Sequence, residues 1–260
     1  MRIAMGLEYD GRHFLGWQTL GHGRTVQDVV EAALARIAAH PVKVFCAGRT
    51  DSGVHATGQV IHFDTPAERD FRSWVLGANS GLPGDASAVW ACGAPDDFHA
   101  RYSAQGRVYR YVILNRSARP AAFCGKVSWY YPAQLDAERM QAGAAALIGE
   151  HDFSAFRSSE CQARHAVREV RRLRVWRDAD LIHIEIEANA FLHHMVRNIA
   201  GVLMAIGSGR AEPSWSAEVL AGRDRTRAGV TASAEGLYLT GVFYPEKYGL
   251  PAPPVQRWPY

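Results

Sequence analysis

The sequence predicts an α+β protein of two fused similar halves, each a split βαβ unit of the kind seen in ferredoxin-like and RNA-recognition sheets. Three observations carry this. Short runs alternate apolar and polar residues with period two, and longer stretches repeat apolar residues near period 3.6. Through about residue 95 these patterns give the order βαββαβ, and the same order then begins again. No apolar run approaches the ~20 residues that a membrane span requires, so the apolar segments belong to a folded core.

In the first half Ile3, Met5, Leu7 and Tyr9 alternate as in a half-buried strand, and Asp10-Gly11 follows as a turn signal. Thr25 with Asp28 resembles a capping box. Val26, Val29, Val30, Ala33, Leu34 and Ile37 then fall at helical spacing, and the helix ends before Pro41. Val42 to Cys46 and Gln59 to Asp64 read as strands separated by a loop with glycines at 48, 53 and 58. A short helix near Trp74 to Asn79 and a strand near Ala88 to Cys92 complete the half.

The second half opens with a strand over Val108 to Leu114 and a helix over Leu135 to Ile148, stopped by Gly149. Val167 to Trp176 pairs with Leu181 to Ala188 across Asp178-Ala179-Asp180. Phe191 to Ile206 is the next helix, Ser214 to Leu220 an additional one, and Leu237 to Tyr244 the last strand. The predicted division is therefore 1–105, 106–245 and a tail over 246–260, where Pro251, Pro253, Pro254 and Pro259 favour extended backbone.

An apolar fraction of 48% with 21% charged residues excludes disordered and coiled-coil classes. The net charge of +3 accommodates a polyanionic partner without demanding one. Cys46, Cys92, Cys124 and Cys161 form no C-x-x-C pair, which argues against a zinc site or a redox dithiol and for buried free thiols. The amino terminus reads as strand rather than as a leader, which places the protein in the cytoplasm with no membrane partner.

Candidate chemistry lies in the loop Gly48-Arg49-Thr50-Asp51-Ser52-Gly53-Val54-His55-Ala56. A carboxylate beside a guanidinium in a Gly-flanked loop can stand at a cleft and meet a ligand closely, or it can cap turn amides. The Asp-Ser-Gly triplet also occurs in aspartic proteases, but Gly48-Arg49-Thr50 puts a cation where an apolar strand is expected, and that reading is rejected.

Tyr109 and Tyr111 share a strand face near Arg107 and Arg110. Such rings either stack on an unpaired base or belong to the core, and for Tyr111 the core reading is preferred. On the helix from Phe191, His193 and Arg197 share a face away from the apolar stripe of Leu192, Met195, Ile199, Val202 and Ile206. His193 and His194 are adjacent helix positions that point apart, with no acidic or Cys partner at ligand spacing, so no metal site is expected. Arg164, Arg168, Arg171, Arg172, Arg174 and Arg177 form a basic strip that either meets phosphates or pairs with Glu185 and Glu187 across the hairpin.

Eight ordered segments resemble the bacterial tRNA pseudouridine synthase A family along nearly the whole chain. They are Tyr9-Asp10-Gly11 with Phe14, Gly16-Trp17-Gln18, the Gly48 to Ala56 loop, Phe98-His99-Ala100-Arg101, Tyr109-Arg110-Tyr111, His151-Asp152-Phe153, Phe191-Leu192 with Met195-Val196-Arg197-Asn198, and Gly236-Leu237-Tyr238-Leu239. The resemblance implies the pseudouridine synthase fold and an isomerase that needs no cofactor or metal. It makes Asp51 the catalytic aspartate, Tyr109 the ring that stacks on the target uracil, Arg197 the partner of Asp51, and Arg49 an aid in displacing the target nucleotide. It also implies a homodimer acting on uridines 38 to 40 of the tRNA anticodon stem-loop.

One departure is Ala232-Ser233-Ala234, where the family usually has a proline. Its loss is expected to loosen the approach to the last strand. Two other classes fit the residues taken without the resemblance. A noncatalytic RNA-binding protein on the same sheet would not need Asp51, and an Asp-dependent hydrolase of a small substrate would not need the basic surface.

Overall fold

The amino-terminal strand forms because apolar residues lie on both sides of its backbone, and it is not half-buried as the alternation suggests. In the computed structural model, which describes residues 1–130 and 134–253, β1 (Arg2–Tyr9) buries Ile3, Ala4, Met5 and Leu7 together. Gly6 completes the run because the Trp90 indole lies over it. A Cβ on Gly6 would come within 2.2 Å of Trp90 Nε1.

Two units are formed, one from Met1–Arg107 with the chain from Tyr238 onward, the other from Val108–Leu237. In the first, β1 pairs antiparallel with β3 (His55–Asp64) on one side and β4 (Ala86–Ala94) on the other. The short β2 (Phe45–Cys46) pairs antiparallel with β3, and β10 (Leu237–Phe243) pairs parallel to it through Tyr238 and Leu239. That parallel pairing takes Tyr238 onward, expected with the second half, into the first unit. The predicted tail, 246–260, begins with a 3-10 turn over Glu246–Tyr248, and its residues 250–253 lie with Gly6, Trp90 and Val242 of that unit. Pro254 and Pro259 fall outside the described residues.

Helix α1 (Val26–Ala38) starts where the capping pair predicts, with Thr25 Oγ1 accepting from Asp28 N at 3.3 Å and donating to its carboxylate at 2.5 Å. Helix α2 (Phe71–Gly81) is capped by Asp70, and its buried Trp74 packs on Phe63 of the sheet. The strand expected over Val42 to Cys46 shrinks to two residues, because the Val44 N–H is taken by Glu31 Oε1 at 3.0 Å.

In the second unit β5 (Gly106–Leu114), β9 (Leu181–Ala188), β8 (Val167–Asp178) and β7 (Gly149–Asp152) are neighbours in that order, and β6 (Ser128–Trp129) runs parallel to β5. The β8–β9 hairpin turns at Ala179, whose φ is 50°. Helix α3 is shorter than expected, Ala137–Ala145. Asp136 caps it by accepting from the amides of Glu138 and Arg139, while Leu135 N–H is drawn off to Asn115. It packs on α4 (Met195–Gly207), where Gly143 meets Ile206, and α5 (Trp215–Gly222) hydrogen-bonds α3 through Ser216. Each unit is thus a mixed sheet with helices, an α+β architecture. Among the described residues no helix is long and apolar enough to cross a membrane.

The core also sets a pH limit. Burial pushes His62 down to about 4, helped by nearby His99, and pushes His183 down to about 4, helped by Arg110. In the unfolded chain both would titrate near ~6.5. Between those values the unfolded chain binds more protons, so stability rises with pH across the window and is lost on acidification. Melting temperature should therefore fall between about pH 6.5 and 4. In His62→Gln the slope should be smaller, and an unchanged slope would assign the proton uptake to other groups.

Candidate active site

The loop between β2 and β3 carries Arg49 and Asp51 on backbone that is held from several directions. At its start Ala47 N–H donates to Val60 O at 2.8 Å. The fully buried Gln59 then clamps Gly48, donating from Nε2 to its carbonyl at 2.7 Å and accepting from its amide at 3.4 Å. The same Nε2 donates to the Tyr9 hydroxyl at 3.3 Å, which in turn shares a 2.9 Å hydrogen bond with Thr50 Oγ1. Beyond Thr50, Trp17 N–H donates to Thr50 O at 3.0 Å, Ser52 Oγ to Phe14 O at 3.3 Å, and Val54 N–H to Asp51 O at 3.1 Å.

These bonds fix the chain on both sides of Asp51, which is half-buried, while Arg49 is exposed. Buried polar side chains of this kind are retained only when satisfied, and here the backbone they satisfy belongs to the aspartate loop. Gly16 completes the cradle. Its φ is +89°, and a Cβ would stand 2.7 Å from Thr50 O and 3.1 Å from the Asp51 carbonyl carbon. His55, just after the loop, accepts from Gly11 N–H at 3.0 Å and stacks on Tyr238 with centroids 4.4 Å apart. Two further segments of the resemblance, Tyr9-Asp10-Gly11 and Gly236-Leu237-Tyr238-Leu239, thereby acquire a role as supports for this loop.

Sequence reading missed Tyr9, Thr50, Gln59 and Gly16 as site residues. A usable signal was present at Gln59, a polar residue directly before the apolar run Val60-Ile61, because a fully buried amide must find partners.

In the second unit Tyr109, on β5, is 9% exposed and stands edge-to-face on Phe191, centroids 5.0 Å apart. Tyr111 is fully buried, its hydroxyl donating to Ser233 O at 2.9 Å, as the core reading requires. Helix α4 begins four residues later than predicted, at Met195, because His194 adopts φ 63° and interrupts the helical backbone. His193 and His194 therefore do not point apart as successive helix residues would. Their ring centroids lie 4.0 Å from each other.

Arg197, half-buried in the first turn of α4, donates from Nε to Ala232 O at 2.8 Å, and Ala232 N–H donates back to Arg197 O at 3.1 Å. The Ala232-Ser233-Ala234 segment is thus pinned rather than loosened. Ser233 also caps the turn that leads into β10.

The basic strip is mostly paired. Arg172 contacts Glu185 at 3.2 Å and Glu187 at 3.5 Å, Arg171 contacts Glu169 at 3.0 Å, and Arg177 donates to Asn115 and to Leu135 O. Arg110 from the neighbouring strand also takes Glu185, at 2.6 Å. Arg168 is buried, and burial lowers its pKa. Across the hairpin the neutralisation falls on Arg172, while Arg171 pairs within its own strand and Arg177 meets neutral acceptors. Arg164 and Arg174 are exposed and, among the described residues, have no carboxylate within ion-pair distance.

The chain that folds this way matches a family profile described as tRNA pseudouridine synthase over residues 6–103 and 144–245. The chain belongs to the tRNA pseudouridine synthase family. Within it, the chain is 56% identical to tRNA pseudouridine synthase A of Methylococcus capsulatus over 250 residues, covering 96% of this chain and 92% of that protein. It is 52% identical over 255 residues to the protein of the same name from Vibrio cholerae, covering 98% and 96%. The Escherichia coli counterpart is 51% identical over 254 residues, covering 98% and 94%.

Proposed function

We propose that this chain isomerises uridine to pseudouridine at positions 38, 39 and 40 in the anticodon stem-loop of tRNA, with Asp51 as its catalytic residue and without cofactor or metal. The observation that carries the reading is the aspartate loop itself. A half-buried carboxylate is held on backbone that Gln59, Tyr9, Thr50 and Gly16 leave little freedom to move. The two units also begin with similar element orders, β1-α1-β2-β3 and β5-α3-β7-β8 once β6 is set aside, which supports two fused split βαβ halves.

The reaction breaks the N1–C1′ bond, rotates the base and forms a C5–C1′ bond. C5 loses a proton and N1 ends with one, so no electrons are exchanged and no group is added. A carboxylate suffices for this as a nucleophile at C1′ or C6, or as a base toward a ribose-derived intermediate. The target base must leave its helix, at a cost of a few kcal/mol. In the proposal Arg49 assists that displacement, Tyr109 stacks on the uracil, Arg197 is the charge partner of Asp51, and the enzyme works as a homodimer in the cytoplasm.

Unmodified tRNA incubated with the protein alone, in chelator, should yield pseudouridine in the anticodon arm. Binding without conversion would reduce the protein to an RNA-binding module. For Tyr109 the comparison is between Phe, which keeps the ring, and Leu, which does not. Tyr109→Phe should handle substrate nearly normally, and Tyr109→Leu should lose about 1 to 3 kcal/mol in kcat/KM. Equal behaviour of Leu and wild type would leave Tyr109 a packing residue.

A further inference from the structure

Beside the aspartate loop the first unit displays a cluster of rings that its core does not require. Tyr102 is 76% exposed and Phe45 is 41% exposed, and His99 lies between them. The His99 ring centroid is 4.3 Å from that of Tyr102 and 5.4 Å from that of Phe45. The cluster is rigid. His99 Nδ1 accepts from the amides of Arg101 and Tyr102, Ser103 N–H returns to His99 O at 2.9 Å, and Tyr244 donates to Ala100 O at 2.6 Å. Phe45 is stacked from behind on the buried His62, centroids 5.0 Å apart.

Two cations flank the rings, Arg101 5.6 Å from the centre of Tyr102 and Lys43 5.8 Å from that of Phe45. The cluster is joined to the aspartate loop by Arg107, whose guanidinium donates to both Arg101 O at 2.7 Å and Ala47 O at 3.0 Å. Single exposed apolar residues are common and need no explanation, but a contiguous, rigid ring surface edged with cations does.

Resting on the tRNA reading above, the geometry points to Phe45, His99 and Tyr102, with Lys43 and Arg101, as a stacking platform. It holds an unpaired base of the substrate RNA, and the phosphates beside it, at a place outside the catalytic loop. Aromatic faces take any base, and cations beside them take the backbone that carries it. A second copy of this chain fits less well, because the same patch meeting itself about a two-fold axis would bring Lys43 and Arg101 toward their own equivalents. Phosphate contacts alone would need no exposed rings.

The test is tRNA binding and single-turnover conversion by Tyr102→Ala, Tyr102→Phe and Phe45→Ala. All are surface changes, and thermal melts confirm that each variant is folded. Tyr102→Ala should raise the Kd for tRNA by about 5- to 100-fold, with the rate at saturating enzyme falling by less than the Kd rises. Tyr102→Phe should bind close to wild type, and Phe45→Ala should weaken binding in the same direction as Tyr102→Ala. Footprinting should show nucleotides outside the target uridine that lose protection in Tyr102→Ala. An unchanged Kd for Tyr102→Ala, in a wild-type background that converts tRNA, overturns the platform alone. So does sedimentation showing that the substitution disrupts self-association at unchanged RNA affinity. A wild-type protein that neither binds nor converts tRNA overturns both the platform and the functional reading.

Discussion

Asp51→Asn should abolish pseudouridine formation while leaving tRNA affinity within a few-fold of wild type. The amide keeps the shape of the carboxylate but not its charge or nucleophilicity. The loop is held by groups other than the Asp51 side chain: Gln59 on the Gly48 backbone, the Tyr9 hydroxyl on the Thr50 side chain, and the Trp17 amide on the Thr50 carbonyl. Affinity for a polyanion rests mainly on cations contacting phosphates, and the substitution removes none of them. Single-turnover rates with saturating enzyme, beside filter-binding titrations on the same preparations, separate the two quantities. More than a few per cent of the wild-type rate would mean that the reaction does not run through this carboxylate. A large loss of affinity would mean that Asp51 organises the binding surface instead.

Local signals in the sequence were reliable where the physics is local. Thr25 and Asp28 cap α1 as their spacing indicates, and the β8–β9 hairpin turns within the expected segment, at Ala179 and Asp180, with Ala179 in left-handed backbone. The Gly48 to Ala56 loop could be singled out as chemistry-bearing from its glycines and its Arg-Asp pair, and more specifically from the family resemblance. What could not be read depends on partners distant in sequence. Nothing in Leu237 to Phe243 encodes that Tyr238 and Leu239 pair in parallel with His55 and Ala56, two residues almost two hundred positions earlier in the chain. The alternation in β1 could not reveal that its second face lies under Trp90. Helix α4 starts later than the spacing predicts because a positive φ at a histidine has no compositional signature. Gln59 and Tyr9 lie 50 residues apart, and their joint hold on the aspartate loop exists only once β1 and β3 are paired.

The same long-range dependence leaves the aspartate loop sensitive at Gly16, a residue outside the loop whose backbone approaches it closely. At φ +89° any L side chain is strained, which alone costs on the order of 1 to 3 kcal/mol. A methyl group there would also stand 2.7 Å from Thr50 O and 3.1 Å from both the Asp51 carbonyl carbon and Ser52 N, and these are backbone atoms that cannot rotate away. Relief must come from shifting residues 50–52, and with them the carboxylate. A displacement of about 1 Å at a reacting group can cost on the order of 100-fold in rate. Gly16→Ala is therefore expected to fold with reduced melting temperature and to lose about two orders of magnitude in single-turnover rate, with a much smaller change in tRNA affinity. Gly21→Ala is the matched control. It lies in the same segment, has nothing within 4 Å of its would-be Cβ, and should behave as wild type in all three measurements. If Gly16→Ala retains a rate within about three-fold of wild type, the loop has relaxed without moving Asp51, and catalysis does not depend on the close approach of these two backbone segments.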